Sequence, residues 1–265
     1  MTERRSRVPE HDNAHRGRWH IGSRWRRLAV VAGALVATVV GTVAAPTGPA
    51  GAGPAEDTAF VRAVHVDLVE REPTAEELAA YVEALGDGEL TRAQVVRHLS
   101  YGLENLTQEV TELYAEALKR APDANGLAFF VNTMGYTSYP LSRANAAVYG
   151  SDEYVNAHGA APEPWVQGVF TDMLGRSPDA GGLMYWTTVA ATKGPRFAAL
   201  RLYESDEHRR TRVTEVFQEM LGRAPEPAAL AFWSSQLTVD RGDLWLAIRL
   251  GSTAEYGTRA TARFP

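Results

Sequence analysis

Apolar residues recur with helical spacing at four places along the chain, separated by polar positions. In the third place the spacing i, i+3, i+4, i+7 and i+8 is filled by Val166, Val169, Phe170, Met173 and Leu174. The other three copies begin at Val61, Val110 and Val213. This spacing places the side chains on one face of an α-helix. The sequence therefore predicts four amphipathic helices, each of which opens one of four similar units.

An Arg-x-Pro motif follows each of these helices. Its arginine is Arg71, Arg120, Arg176 or Arg223, and its proline lies two residues later. Because proline cannot continue a helix interior and biases the preceding residue away from helical geometry, the motif predicts the end of the first helix. Asp123 and Asp179 follow two of the prolines, where a carboxylate caps the next helix. Glu226 at the same position is expected to be a weaker cap.

A second helix follows the motif, with a leucine seven residues after the arginine and an aromatic residue ten after it. Leucine and aromatic residue are three apart, so they share a helix face and are predicted to enter the core. The residues of this structural repeat motif are Arg120, Pro122, Asp123, Leu127, Phe130, Arg176, Pro178, Asp179, Leu183, Trp186, Arg223, Pro225, Glu226, Leu230 and Trp233.

A third apolar helix and a Ser-x-Glu-Tyr-like segment complete each unit. The predicted fold is all-α, with four tandem units of about three helices stacked into one array or two packed pairs. The predicted units are residues 58–106, 107–160, 161–210 and 211–265. The first unit is divergent, because it has Glu76 and Glu77 where the third has Gly181 and Gly182. It is either a true copy or a capping segment.

The N-terminal region differs from the repeated body. Residues 1–27 are rich in arginine, and residues 28–45 contain no charge. This pattern predicts that residues 1–45 are an export signal, or a membrane anchor if residues 28–45 stay uncleaved. Residues 46–57 are rich in Pro, Gly and Ala and are predicted to form a flexible linker. The expected location is therefore secreted or at the cell surface.

Charge and cysteine content exclude several classes of function. Residues 1–45 hold eight arginines against three acidic residues, so the rest of a chain of net charge −5 carries −10. An acidic body argues against nucleic acid as a partner, because phosphate binding needs a basic face. The chain has no cysteine, which excludes disulfides, thiolate catalysis and thiolate metal sites.

The repeat Leu-Gly-Arg-x-Pro-Asp-x-x-Gly-Leu-x-x-Trp, with a later Ser-x-Glu-Tyr, resembles the bacterial domain-of-unknown-function family numbered 4214. Residues 170–186 and 205–208 carry the resemblance best, and it covers roughly residues 58–260. The sequence departs from the family pattern at His208, where the pattern has Tyr. The resemblance implies a secreted or surface-associated helical module, and it brings no catalytic residue with it.

The repeated polar residues have two interpretations each. The four motif arginines either bind an anionic ligand or pair with an acid of the Ser-Asp-Glu segment and with helix-end carbonyls, and the second interpretation is favoured. Asp123 and Asp179 either bind Ca²⁺ or cap helices. Capping is favoured, since a Ca²⁺ loop needs several acids at alternating positions. The histidines lack zinc-binding spacing, and no metal, cofactor or catalytic site is expected.

The residue nine positions after each motif arginine is the candidate for a ligand surface. It is Phe129, Tyr185 or Phe232 in the last three units and points away from the face of the leucine and the tryptophan. Exposed rings there could stack on sugars, whereas the simpler interpretation is packing. Other places where the units differ, and where a local function is expected, are His208 and the loop at residues 135–140.

Together these patterns predict a non-enzymatic, exported helical-repeat protein with a structural or binding role at the bacterial cell envelope. The expected partner is an envelope protein or a polysaccharide, with membrane contact only through residues 28–45. One alternative is a carbohydrate-binding module for wall or extracellular polysaccharide. A weaker alternative is an envelope hydrolase, for which the sequence offers no matched acid and base.

Overall fold

The computed structural model describes residues 53–136, 140–238 and 240–265. These residues form fourteen α-helices and no strand, apart from an isolated bridge between Thr238 and Arg241. The all-α fold class is therefore confirmed. The helices are α1 (Pro54–Val69), α2 (Ala75–Gly86), α3 (Arg92–Ser100), α4 (Leu103–Leu118), α5 (Ala124–Tyr136), α6 (Leu141–Tyr149), α7 (Asp152–Ala157), α8 (Pro162–Leu174), α9 (Ala180–Lys193), α10 (Pro195–Tyr203), α11 (Asp206–Leu221), α12 (Pro227–Gln236), α13 (Asp243–Gly251) and α14 (Ala254–Arg263).

The order of helices is consistent with four tandem units of three. The units contain α1–α3, α4–α6, α8–α10 and α11–α13, while α7 and α14 follow the second and fourth units. In every unit the first helix packs on the second: α1 on α2, α4 on α5, α8 on α9 and α11 on α12.

A left-handed residue ends the first helix of every unit, immediately before the motif arginine. These residues are Glu70, Lys119, Gly175 and Gly222, with φ angles of 57°, 56°, 63° and 69°. A left-handed residue directs the chain away from the helix axis and closes its last turn. The proline two positions later prevents the helix from resuming, so the two signals together fix the turn into the second helix.

The end of the predicted linker differs from the structure. The predicted linker at 46–57 ends earlier, because α1 begins at Pro54 and includes residues 54–57. Proline is favoured in the first turn of a helix, and Asp57 is buried there in an ion pair with Arg92 at 3.0 Å. Residues 46–52 lie outside the described residues.

The predicted boundaries between units are also displaced. The boundaries after residues 106 and 210 fall inside α4 and α11, because the end of one unit is the first turn of the next long helix. In α11 the side chain of Ser205 caps this turn by accepting a hydrogen bond from the backbone of His208 at 3.3 Å. The capped turn therefore ends the predicted third unit and also begins the first helix of the fourth unit.

The apolar residues form two cores, and the first unit packs against the last. The core of units one and four contains Phe60, Val64, Val213, Phe217 and Tyr256 among others. The core of units two and three is built around side chains of the same repeat positions, including Val110, Tyr114, Val166, Phe170 and Tyr154. Of the two predicted arrangements, these contacts are consistent with two packed pairs.

The third helices hold each pair together. Helix α3 packs on α13, and α6 packs on α10. The second contact is very close, since a Cβ atom at Gly150 would lie 2.4 Å from the backbone Cα of Arg196. Helix α14 packs on α1, which brings the last helix of the chain against the first.

Candidate functional site

Each motif arginine is paired with a glutamate near the end of its own unit. Arg176 donates to Glu207 from Nε at 2.5 Å and from Nη2 at 2.6 Å, and its Nη1 donates to the carbonyl of Ser177 at 3.0 Å. The pairing lowers the pKa of the Glu207 carboxyl. The other three pairs are Arg71–Glu104, Arg120–Glu153 and Arg223–Glu255.

The arginines therefore pair with an acid, as the sequence analysis favoured over anion binding. The carbonyl that each arginine binds belongs to the turn, one residue after the arginine, and not to the end of the helix. The planar guanidinium holds a carboxylate with two parallel hydrogen bonds, which is a specific geometry for this residue type. In the third unit the guanidinium carbon also lies 5.1 Å from the ring centre of Phe170. A free anion would have to displace Glu207 to reach Arg176.

The divergent first unit strengthens this contact with a second acid. Arg71 donates to Glu77 at 2.7 and 2.8 Å as well as to Glu104. Hydrogen bonds from Arg71 and Thr74, partly offset by desolvation, lower the pKa of Glu77 to about 2. Glu77 also completes a capping box with Thr74 at the start of α2. The glutamate that distinguishes this unit thus stabilises the turn in place of an aspartate cap.

The motif aspartates are used as helix caps. The Oδ1 atom of Asp179 accepts a hydrogen bond from the backbone of Gly182 at 2.8 Å. The Oδ1 atom of Asp123 accepts from the backbones of Asn125 and Gly126 at 3.1 and 3.0 Å. Glu226 makes no capping hydrogen bond and instead pairs with Arg223 at 2.8 Å.

The apolar motif residues lie between the helices. Phe130 is buried in the core of units two and three, and Trp186 is half-buried against the same core. Trp233 is half-buried against the core of units one and four. The motif leucines and prolines are all half-buried: Leu127, Leu183, Leu230, Pro122, Pro178 and Pro225.

The three candidate surface aromatics are exposed. The exposed fractions are 58% for Phe129, 60% for Tyr185 and 55% for Phe232. Each ring contacts the aromatic residue that follows it, with ring centres 5.0 to 5.2 Å apart in an edge-to-face arrangement. Within the described part of the chain, no ring contact joins two of the three. They lie on three separate helices and do not form one continuous platform.

One of these rings borders a cleft that the sequence did not predict. The cleft has a volume of about 530 Å³ and lies between α9, α10 and α11 of the third and fourth units. Its apolar wall contains Tyr185, Trp186 and Phe197, and its polar wall contains Glu204 and Arg209. We call this the third-unit cleft. Phe197 is 46% exposed.

The polar wall of the third-unit cleft holds two buried atoms without a partner among the described residues. They are Oε1 of Glu204 and Nε of Arg209. Burial raises the pKa of the Glu204 carboxyl, and its Oε2 atom lies 3.8 Å from Arg201. Nη1 of Arg209 donates to the carbonyl of Leu237 at 3.3 Å, which fixes the guanidinium in place. The cleft therefore offers an acceptor and a donor side by side with aromatic rings.

The other places where the units differ lie elsewhere. His208 is buried, and because a carbonyl only accepts, its Nδ1–H donates to Tyr203 at 2.9 Å. Residues 137–139 of the predicted loop lie outside the described residues. Gly135 and Pro140 line a second cleft of about 560 Å³, together with Tyr101 and Trp245.

No family model, curated protein or solved structure matches this chain. The resemblance to family 4214 therefore rests on the repeated residues alone. No helix within the described ranges is long and apolar enough to span a bilayer. The export signal or anchor predicted at residues 1–45 lies outside those ranges.

Proposed function

We propose that the chain is a non-enzymatic, exported helical-repeat protein with a structural or binding role at the bacterial cell envelope. The observation that carries the proposal is the repeated exposure of Phe129, Tyr185 and Phe232 at one position of three units. A single exposed ring is common on protein surfaces, but the recurrence of a large ring at one position of three units is the feature that supports a surface for a partner. The repeated charged residues are engaged within the protein, so the rings are the recurrent feature open to a partner.

The export part of the proposal rests on residues 1–45. An arginine-rich segment followed by an uncharged apolar segment is the pattern of an export signal or of an anchor with its arginines on the inner side. Residues 46–53 would then separate the signal from α1. The repeated motif adds the resemblance to family 4214, whose members look like surface-associated helical modules.

Cell fractionation with mass-spectrometric mapping of the N-terminus tests the location. A mature protein that begins near residue 45 or 53 in the extracellular or envelope fraction indicates export and release. An intact segment 28–45 in the membrane fraction indicates an anchor. Recovery of the intact chain only from the cytoplasm would contradict the proposal.

A second candidate function is a carbohydrate-binding module for wall or extracellular polysaccharide. The third-unit cleft favours it, because it combines aromatic rings with a donor and an acceptor, and ligand sites typically pair apolar walls with a few placed polar groups. A pull-down on insoluble wall polysaccharide compares the wild type with Phe129→Ala, Tyr185→Ala and Phe232→Ala. Equal retention of all four proteins would argue against these rings as the binding surface.

The non-enzymatic character needs its own test, since an envelope hydrolase is the weaker alternative. The full-length protein is incubated with soluble wall polymers, and newly formed reducing ends are measured over many hours. A rate no higher than that of a heat-denatured sample is expected. Sustained release of reducing ends, lost on replacing an acidic residue by its amide, would establish hydrolysis instead.

A further inference from the structure

We infer that the third-unit cleft is a sugar-binding subsite, in which a pyranose ring stacks on Tyr185 or Phe197 and its hydroxyls bond to Glu204 and Arg209. The inference deepens the carbohydrate-binding candidate above and rests on it. It places the sugar in one cleft, whereas the candidate function above considered three exposed rings on separate helices.

The aromatic wall suits the apolar face of a sugar. Tyr185 and Phe197 are 60% and 46% exposed and come from two helices, α9 and α10, that pack on each other. Trp186 lies beside them, and its ring meets that of Tyr185 edge-to-face at 5.1 Å. Rings fixed on packed helices keep their orientation without a ligand, which lowers the entropic cost of binding.

The polar wall suits hydroxyl groups. A sugar hydroxyl can donate one hydrogen bond and accept another. The unpartnered Oε1 of Glu204 is an acceptor, and the unpartnered Nε–H of Arg209 is a donor. Hydrogen bonds to charged groups are stronger than those between neutral groups, and a buried charged atom without a partner is costly to the folded protein. Both residues are half-buried in the wall of the cleft, so the hydroxyls of a sugar would meet the outer atoms of the carboxylate and of the guanidinium.

Glu204 occupies an unusual position for a carboxylate. Glu204 is the C-terminal cap of α10, and its side chain is 15% exposed. A carboxylate at the C-terminus of a helix opposes the helix dipole and is unfavourable there. Its contact with Arg201 is long, at 3.8 Å. Arg201, Arg209, Arg212 and Arg143 are all close enough to favour its charged form, so the carboxylate belongs to a cluster of basic residues at the wall of the cleft.

The acceptor and donor occur together in the third unit alone. The N-caps Ser151, Ser205 and Thr253 align the last three units. Glu204 then corresponds to Gly150 and Ser252, and Arg209 corresponds to Val155 and Gly257. The equivalents of Phe197 are Arg143 and Trp245. A side chain kept in every unit serves the scaffold, whereas this combination is confined to one unit, as expected of a local site.

The charged side chains that line the third-unit cleft indicate which sugars it would bind. Lys193, Arg201 and Asp206 also line the third-unit cleft. Asp206 pairs with Arg210 at 2.9 Å, whereas the Lys193 side chain has no ion pair with a described residue. Two basic side chains near the stacking ring favour an acidic sugar over a neutral one. The ligand expected is therefore a polysaccharide with carboxylated sugars, bound through a single ring.

Affinity electrophoresis of the full-length protein tests the assignment. The gels contain polygalacturonate, dextran or soluble peptidoglycan, and binding is measured as retardation against polymer concentration. The variants are Tyr185→Ala, Phe197→Ala and Glu204→Gln, and the matched control is Met184→Ala, which removes a side chain of α9 that is 72% exposed and does not line the cleft. Thermal melting by circular dichroism verifies that each variant is folded.

The expected result is retardation by polygalacturonate that exceeds retardation by dextran. Each of the three cleft variants should weaken this binding about tenfold, the effect of a central contact residue, while Met184→Ala changes it less than about twofold. Glu204→Gln preserves the shape of the side chain, so its effect reports on the hydrogen bond.

Two other results would overturn the inference, and they have different consequences. If the polymers retard the three cleft variants as strongly as the wild type, the protein binds polysaccharide elsewhere and only the cleft assignment fails. If no polymer retards the wild type, the cleft assignment and the carbohydrate-binding candidate fail together. The proposed envelope location is measured separately by fractionation and survives either result.

Discussion

The hydroxyl of Tyr256 donates a hydrogen bond of 2.8 Å to Oδ2 of Asp67, joining the last helix of the chain to the first. Both residues are buried, and Asp67 also accepts from Arg259 and Arg263 at 2.7 to 3.0 Å. The same bond occurs in the other pair of units, where Tyr154 donates to Asp172 at 2.8 Å. One type of hydrogen bond therefore closes both pairs.

Replacing Tyr256 by Phe should lower the free energy of unfolding by about 2 kcal/mol, the value typical of a buried hydrogen bond to a charged group. Asp67 retains its arginines, which limits the loss. Urea denaturation followed by circular dichroism measures it. Tyr101→Phe is the control, because that hydroxyl belongs to a residue 39% exposed. A loss no larger than that of the control would mean that apolar packing alone joins the chain ends.

Replacing Gly150 by Ala should destabilise the pair of units two and three. The added Cβ would lie 2.4 Å from the Cα of Arg196, so α6 and α10 would have to separate. Overpacking of this kind typically costs about 1–3 kcal/mol. Gly86→Ala is the matched control, since nothing lies within 4 Å of its added Cβ. If both variants melt at the same temperature as the wild type, the close contact of α6 and α10 is incorrect.

Replacing His208 by a residue that does not titrate should make the free energy of unfolding depend less on pH between about 4 and 6.5. Burial lowers the pKa of His208 to about 4, whereas the unfolded chain has the ordinary value near 6.5. Between these values the unfolded state binds a proton that the folded state does not, so stability falls as pH falls from about 6.5 to about 4. The full loss from this group is about 3 kcal/mol.

Asn is the informative replacement for His208. Asn105 holds the equivalent place in the first unit and donates to the carbonyl five residues earlier at 2.8 Å, as His208 does. Urea denaturation at pH 4.5, 5.5 and 7 gives the free energy of unfolding of the wild type and of His208→Asn, and the two pH dependences are compared. Buried His65, whose pKa is also lowered, titrates in both proteins and cancels. Parallel profiles would exclude His208 as the acid-sensitive group.

The pair Arg176–Glu207 should make a modest contribution, because both side chains are more than a third exposed. A double-mutant cycle with Arg176→Ala and Glu207→Gln is expected to give a coupling free energy of about 0.5–1 kcal/mol at low salt. The coupling should decline in 1 M salt, which screens exposed charges. A coupling that is absent at low salt would leave the motif arginine to act through Phe170 and the Ser177 carbonyl alone.

Left-handed geometry at the end of each long helix predicts opposite effects of glycine and alanine. Gly175→Ala should destabilise by about 1 kcal/mol, because a Cβ atom is unfavourable at φ 63°. Lys119→Gly should be neutral or stabilising, since Lys119 adopts φ 56° and its side chain is 67% exposed. Thermal melting of both variants suffices. The same sign of change in both proteins would contradict the geometry.

The helices could be predicted because their signals are local. Val166, Val169, Phe170, Met173 and Leu174 are all buried, as their spacing requires. The pairing of units could not be predicted, since the same periodicity fits an array and two pairs. The deciding contacts, such as Tyr256 with Asp67, join residues almost 200 positions apart. The start of α1 was missed for the same reason, because Asp57 depends on Arg92 from another helix.

The candidate site was predicted in part. The exposure of Tyr185 follows from its place nine residues after Arg176, on the side opposite the core. The exposure of Phe197 could not be predicted, since α10 has only nine residues and its apolar positions do not separate an inner from an outer face. Glu204 carried a weak signal, an acidic residue at the C-terminal end of a predicted helix. Its proximity to Arg209 and the rings emerges only from the packing of α9, α10 and α11.

The contact of α1 with α14 also constrains the order in which the protein can fold. Synthesis delivers the N-terminal end first, and the proposed export would do the same. Phe60, Val61 and Val64 then emerge long before the residues of the fourth unit that cover them. Units two and three can complete their shared core earlier, with their contacts closer along the chain. The apolar face of the first unit therefore stays exposed until the fourth unit has been synthesised.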